Sequence, residues 1–441
     1  MISIKQFKNT VLLLCLAFFS CLKSQNIKDK QNNKPLYQGN YYGYSDQNRN
    51  VTVGANRLHY YLPELKGKRI GVVANQTSVI FKSFKVNDTL ETYDPEEDIF
   101  YEVVALFDIY TDEYTHLVDS LISLDVNVKK VFAPEHGFRG TADAGETVID
   151  GVDKKTGVPI ISLYGKNKKP SPEQLQGLDM LIFDIQDVGA RFYTYISTLH
   201  YVMEACTEAG LPLLILDRPN PNGFYVDGPV LEIQHKSFVG MHPVPVVHGM
   251  TVGEYAQMIN GEKWLTGGIQ CDITVIECID YSKSYSYSLP IFPSPNLPND
   301  KAINLYPSLC FFEGTHVSVG RGTDMQFQVY GSPFLPESGF SFIPQPNGGA
   351  KYPLHEGKKC YGEDLRAVPD RNYLDLSWLI KTYQATTDKT SFFNSFFTKL
   401  AGTTQLQEQI ELGNTEETIK ETWEADLEKY KTMRKKYLIY N

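Results

Sequence analysis

The chain has 441 residues, 42% of them hydrophobic and 21% charged, which excludes a disordered or fibrous protein and leaves ample apolar material for a core. At roughly 150 residues per domain, the length points to two or three domains. The 42 Lys and Arg against 52 Asp and Glu give a net charge of −10, the opposite of the basic footprint that a nucleic-acid partner demands.

Residues 1–21 read as an export signal: Lys5 and Lys8 precede an apolar run over 11–20 that is too short to span a bilayer. Cys21 follows the small residue Ser20, so two outcomes stay open, plain signal cleavage or processing as a lipoprotein with a lipid on Cys21. Membrane contact is expected only through that lipid, because no later stretch reaches the roughly 18 apolar residues of a spanning helix. The mature protein is therefore expected to be periplasmic or tethered to the cell envelope. Residues 22–50, rich in Lys, Gln, Asn and Ser, read as a polar leader. Beyond the signal lie Cys206, Cys271, Cys278, Cys310 and Cys360; their spacings lack zinc-type pairs, and they read mostly as buried thiols.

From about residue 68, short apolar runs alternate with helical patterns. Strands are predicted over 68–74, 129–133, 159–163, 180–185, 212–216 and 271–276. Helices are predicted over 115–124, over 195–209 up to Gly210, and over 251–265, where Thr251 and Glu254 form a capping-box pattern. This alternation predicts an α/β fold with a parallel sheet covered on both faces. Past residue 280, Pro and Gly become dense and the alternation fades, which predicts a smaller α+β domain with a helical end over 408–437.

Polar clusters sit where strands end, at Pro134-Glu135-His136-Gly137-Phe138-Arg139, at Asp184 to Tyr193, and at Asp217-Arg218-Pro219-Asn220. In an open parallel sheet the ligand crevice lies at the carboxyl ends of the strands, so the three clusters should converge there. Each has a plainer reading. Glu135 and His136 could bond the local turn, Asp187 and Arg191 could pair across one helical turn, Asp217-Arg218 could stabilise the fold, and Asp143 and Glu146 could be solvated charges.

Several carboxylates, one His and several Arg, without a G-x-S-x-G, HExxH or phosphate-loop motif, suit glycosidic cleavage, in which a carboxylic acid protonates the leaving oxygen. Phe132 and Phe138 flank Glu135 in the sequence and are expected to desolvate it. Spacing alone would also let His136, Asp143, Glu146 and Asp184 gather a divalent metal, a metal-dependent alternative.

Several motifs together resemble the bacterial exo-β-N-acetylmuramidase family. They are Ala74-Asn75-Gln76-Thr77-Ser78, Ala133-Pro134-Glu135-His136-Gly137-Phe138-Arg139-Gly140, Asp184-Ile185-Gln186-Asp187-Val188-Gly189-Ala190-Arg191-Phe192-Tyr193-Thr194-Tyr195, Leu216-Asp217-Arg218-Pro219-Asn220-Pro221, His248-Gly249-Met250-Thr251-Val252-Gly253-Glu254, Pro293-Ser294-Pro295-Asn296-Leu297-Pro298, Tyr306-Pro307-Ser308, and Phe312-Glu313-Gly314-Thr315 with Gly320-Arg321-Gly322-Thr323. The resemblance implies a Rossmann-like parallel-sheet domain over 51–275, a smaller C-terminal α+β domain over 276–441 completing a cleft, and release of terminal N-acetylmuramic acid (MurNAc) from the non-reducing end of peptidoglycan fragments such as MurNAc-GlcNAc. The family's glutamate falls on Glu135 as acid/base. His136 is expected to orient it and Asp187 to assist, with the substrate's acetamido group as an alternative internal nucleophile. Substrate binding is expected from Asn75, Arg139, Asp143, Glu146, Asp184, Arg191, Tyr193, Asp217, Arg218, Asn220, Glu313 and Arg321. MurNAc carries a lactyl carboxylate, for which Arg139, Arg191, Arg218 and Arg321 are the candidate partners. No cofactor and no resident metal are expected. Asp324-Met325-Gln326-Phe327 departs from the family pattern where a proline is expected. A muropeptide-binding protein without turnover is the rival reading.

Overall fold

The computed structural model describes residues 51–94, 99–139, 150–284 and 286–441. The export signal, the polar leader, Asp143 and Glu146 lie outside the described residues. The strands run β1 (Ile70–Ala74), β2 (Val79–Asp94), β3 (Ile99–His116), β4 (Val128–Ala133), β5 (Gly151–Val152), β6 (Pro159–Ser162), β7 (Met180–Asp184), β8 (Leu213–Leu216) and β9 (Ile273–Ile276). All of these except β2 and β3 form one sheet in the order β5-β6-β4-β1-β7-β8-β9, parallel throughout apart from β5 on the β6 edge. Taken in chain order, its parallel strands are arranged 3-2-1-4-5-6. This is the doubly wound Rossmann order, whose direction reverses between β1 and β7.

The sheet forms because its strands alternate between two apolar layers. Ile70, Val72, Ala74, Val131, Ile182 and Leu214 pack with Tyr61 and Leu65 of α1 (Leu58–Leu65) and Leu117 and Leu121 of α2 (Leu117–Ser123). Val73, Phe132, Leu181, Phe183 and Ile215 face the other way, onto α4 (Tyr195–Ala209) and α5 (Val252–Gly261). The short α3 (Pro172–Leu175) begins with a capping box on Ser171. Burial on both faces explains why these strands read as continuous apolar runs. Helix α4 has the predicted bounds and stops at Gly210, φ 64°. Helix α5 has the predicted capping box but ends at Gly261 rather than 265, since Lys263 turns to φ 54°.

Two features were not anticipated. Strands β2 and β3 pair antiparallel as a separate two-stranded ribbon, anchored where Asn56 Nδ2 donates to Phe81 O at 2.7 Å. The predicted helix over 115–124 accordingly begins only at Leu117. The predicted helix over 408–437 is broken into α9 (Gln405–Glu411), α10 (Glu416–Glu421) and α11 (Glu424–Arg434), because Gly413 adopts φ 80° and Thr415 caps a new helix.

The C-terminal part also contributes α6 (Asp300–Leu309), α7 (Ser377–Ala385), α8 (Phe397–Ala401) and a small antiparallel sheet, β10 (Val329–Ser332), β12 (Cys360–Asp364) and β11 (Phe340–Phe342). Phe192, Tyr193 and Ile196 of the first part share a core with Tyr306, Phe311 and Phe397 of the second. All five cysteines among the described residues are buried and free. No described helix is long and apolar enough to cross a membrane.

Candidate active site

Strand β4 runs straight into Glu135. Gly137 N bonds back to Pro134 O at 3.0 Å, and His136 and Gly137 adopt φ 70° and 76°. This left-handed turn is unusual for a non-glycine residue; it buries His136 and leaves Glu135 half-buried at the rim. Thr194, at the N-terminus of α4, donates its hydroxyl to Glu135 Oε2 at 2.7 Å. Tyr164, just past β6, faces the same carboxylate, and burial followed by the Glu135 charge pushes its hydroxyl pKa up. Glu135 and His136 open onto a cleft of about 200 Å³ whose walls include Tyr164, Phe192, Tyr193 and Phe238 from the sheet domain and Asn296, Tyr306, Glu313 and Arg321 from beyond it. An acid hydrogen-bonded by two hydroxyls against aromatic walls is suited to give a proton to a glycosidic oxygen.

Among the predicted site residues, the structure brings Glu135, His136, Tyr193, Glu313 and Arg321 to this cleft. Tyr193 donates its hydroxyl to Pro293 O at 3.0 Å, and Arg321 Nε is paired with Glu313. The other described candidates do not line it and are bonded elsewhere in the fold. Asn75 holds the turn after β1, taking bonds from Thr77 and giving one to Tyr195 Oη at 2.9 Å. Arg139 is held by Asp153 at 2.8 Å and Asp119 at 3.2 Å. Asp184 and Arg218 form a bidentate pair at 2.6 and 2.9 Å, both buried. Burial raises the Asp184 pKa while Arg218 opposes the shift.

Arg191 does not pair with Asp187. It donates to four backbone carbonyls, those of Pro229, Val244, Leu400 and Ala401, and burial pulls its pKa down to about 9. Asp187 accepts from Gly189 N at 2.7 Å and lies 3.7 Å from His248 Nε2; it is not among the residues that line the cleft. Asp217 receives Thr251 Oγ1, Gly253 N and Tyr440 Oη at 2.7–2.8 Å, and burial lifts its pKa to about 6. Asn220 donates to Met250 O at 2.8 Å. Phe138, expected to desolvate Glu135, packs instead edge-on to His116 with ring centroids 4.8 Å apart. As for the metal alternative, both Asp184 oxygens are engaged by Arg218, and no group of three His, Cys, Asp or Glu among the described residues is arranged to hold an ion.

Sequence reasoning named none of Tyr164, Thr194 and Asn296 as a site residue, although Thr194 and Asn296 fall inside the quoted motifs. Tyr164 follows a predicted strand, so the same carboxyl-end rule that singled out Glu135 could have found it. Asn296 is 1% exposed, gives Nδ2 to Gly349 O at 2.6 Å, and keeps Oδ1 buried without a partner.

Residues 104–301 match the family model for exo-β-N-acetylmuramidase NamZ, N-terminal, and residues 304–440 match the C-terminal model of the same family. The chain belongs to this family. The peptidoglycan β-N-acetylmuramidase NamZ of Bacillus subtilis (strain 168) is 38% identical over 408 residues, covering 86% of this chain and 89% of that protein. Two crystal structures of DUF1343 family proteins from Bacteroides fragilis NCTC 9343 share the fold. One has a TM-score of 0.76 at 43% identity over 89% of this chain and 99% of its own. The other has a TM-score of 0.69 at 26% identity over 89% of this chain and 100% of its own. The family match thus spans the Glu135 turn and the Glu313–Arg321 wall alike.

Proposed function

We propose that the protein is an exo-acting glycoside hydrolase that removes terminal MurNAc from the non-reducing end of peptidoglycan fragments such as MurNAc-GlcNAc, with Glu135 as general acid/base. The observation that carries this reading is the presentation of Glu135 by the β4 turn into an aromatic cleft, bonded by Thr194. Protonated Glu135 gives its proton to the glycosidic oxygen as the C1–O bond breaks. Water then gives its hydroxyl to C1, and its remaining proton returns to Glu135. His136 fixes the turn that aims the carboxyl group. The unpartnered Asn296 Oδ1 offers an acceptor for an acetamido N–H.

The test is release of chromophore from a β-MurNAc glycoside beside the matching β-GlcNAc glycoside. Release from the MurNAc compound is expected, and Glu135→Gln should lose it by roughly 10³-fold or more with unchanged unfolding. A Glu135→Gln variant that keeps most of its activity refutes the assignment. The charged and apolar pattern of residues 1–21 supports export to the periplasm or cell envelope; fractionation of wild type beside Cys21→Ala separates lipid anchoring from plain cleavage.

A further inference from the structure

The cleft needs a way to tell MurNAc from GlcNAc, and the two sugars differ by a lactyl ether that ends in a carboxylate. Of the four arginines that the sequence offered, Arg139 is paired with Asp119 and Asp153, Arg191 gives four bonds to backbone carbonyls and Arg218 is paired with Asp184, and none of the three lines the cleft that holds Glu135. Arg321 is the one guanidinium among the described residues lining the cleft that holds Glu135, and no lysine lines it. Its surroundings hold it in place. Gly320 and Gly322 on either side adopt φ 80° and 78°, and a Cβ on Gly322 would come 2.6 Å from Pro353 and 2.7 Å from Gln345 O, so the turn has little room to move. Glu313 takes the Nε edge, and the guanidinium carbon lies 5.1 Å from the centre of the Phe327 ring. Its terminal nitrogens have no hydrogen-bond partner among the described residues, and its side chain is 23% exposed.

A guanidinium held along one edge presents the other as a planar fork, the geometry that meets a carboxylate with two parallel hydrogen bonds. Because Glu313 already balances its charge, the fork would act more through geometry than through long-range attraction. We propose that Arg321, oriented by Glu313, binds the lactyl carboxylate of the terminal sugar and is the specificity-determining residue for MurNAc over GlcNAc. This rests on the glycosidase reading above and adds to it the group that is recognised.

The experiment compares the chromogenic β-MurNAc glycoside with its lactyl carboxamide, which has the same shape and no charge, on the wild type, Arg321→Lys and Arg321→Met. The wild type should favour the carboxylate by about 10²-fold in kcat/KM, carried mainly by KM, as expected for a charge-assisted hydrogen-bonded pair. Arg321→Met should bring that ratio to within about threefold of one. Arg321→Lys, a point charge without the fork, should fall between. Equal rates on both compounds in the wild type, or an unchanged ratio in Arg321→Met, overturn the proposal. Calorimetric binding of free MurNAc and its carboxamide to Glu135→Gln reads the same discrimination without turnover. Discrimination in binding with no hydrolysis by the wild type would therefore sink the glycosidase reading and leave Arg321 standing, whereas hydrolysis without discrimination would do the reverse.

Discussion

Asp184 and Arg218 offer a sharp separation between fold and chemistry. The substitution Asp184→Asn keeps the shape of the side chain and removes its charge, leaving the Arg218 guanidinium at 3% exposure without a counter-ion. Two charge-assisted hydrogen bonds, at 2.6 and 2.9 Å, lose their ionic acceptor. The bond from Arg218 Nη2 to Val79 O at 2.9 Å does not neutralise the charge. Removing one partner of such a buried pair costs about 3–5 kcal/mol, so the denaturant midpoint should fall with little change in slope. The double variant Asp184→Leu with Arg218→Met removes both charges and should recover most of the loss, because no buried ion then lacks a partner. Hydrolysis measured on the folded fraction of Asp184→Asn should stay within a few-fold of wild type, since neither residue lines the cleft. A variant as stable as wild type whose turnover has collapsed would refute this reasoning and return Asp184 to the reaction.

Two further outcomes follow from buried groups. His116 Nε2 bonds Asn75 O at 2.9 Å and its Nδ1 accepts from Val118 N at 3.2 Å, so both ring nitrogens are committed in the neutral form. Burial, the main cause, lowers its pKa to about 4. The unfolded chain binds this proton near pH 6.5 and the folded one only near 4, so the stability is present above about 6.5 and is lost as pH falls towards 4. Between pH 7.5 and 5, wild type should lose about 2 kcal/mol more than His116→Gln in urea melts; parallel losses would refute this. Gly189 sits at φ 77°, and a Cβ there would meet Asn220 Oδ1 at 2.2 Å, an atom already bonded to Asn222 N. Gly189→Ala should therefore cost about 2 kcal/mol or more, and an unmoved denaturation midpoint would contradict it.

The parallel sheet was legible because burial on both faces writes its strands as short aliphatic runs, and the capping box at Thr251 and Glu254 marks a helix start without tertiary help. The β2–β3 ribbon was not, since two long paired strands over 79–94 and 99–116 leave no β-then-helix alternation to follow. At the site, the carboxyl-end rule found Glu135, yet it selected Asp184, Asp217 and Arg218 by the same logic. What separates them is pairing across neighbouring strands. Asp184 and Arg218 are 34 residues apart and meet only because β7 and β8 lie side by side. Arg191 offers a second case: its i−4 neighbour Asp187 suggested a local pair, while its partners at Leu400 and Ala401 lie more than 200 residues downstream.

That long-range stitching bears on modularity. Asp217 waits for the hydroxyl of Tyr440, 223 residues away, and Glu254 Oε1 accepts from the backbone nitrogens of Ile439 and Tyr440. Separating the chain between its two family-model segments, near residue 302, would leave Asp217 and Glu254 without these donors and Arg191 without two of its four acceptors. The doubly wound sheet, although topologically complete by β9, therefore takes part of its polar bonding from the far end of the chain. Recombination that exchanges one half for that of a distant relative would have to carry these clasps with it.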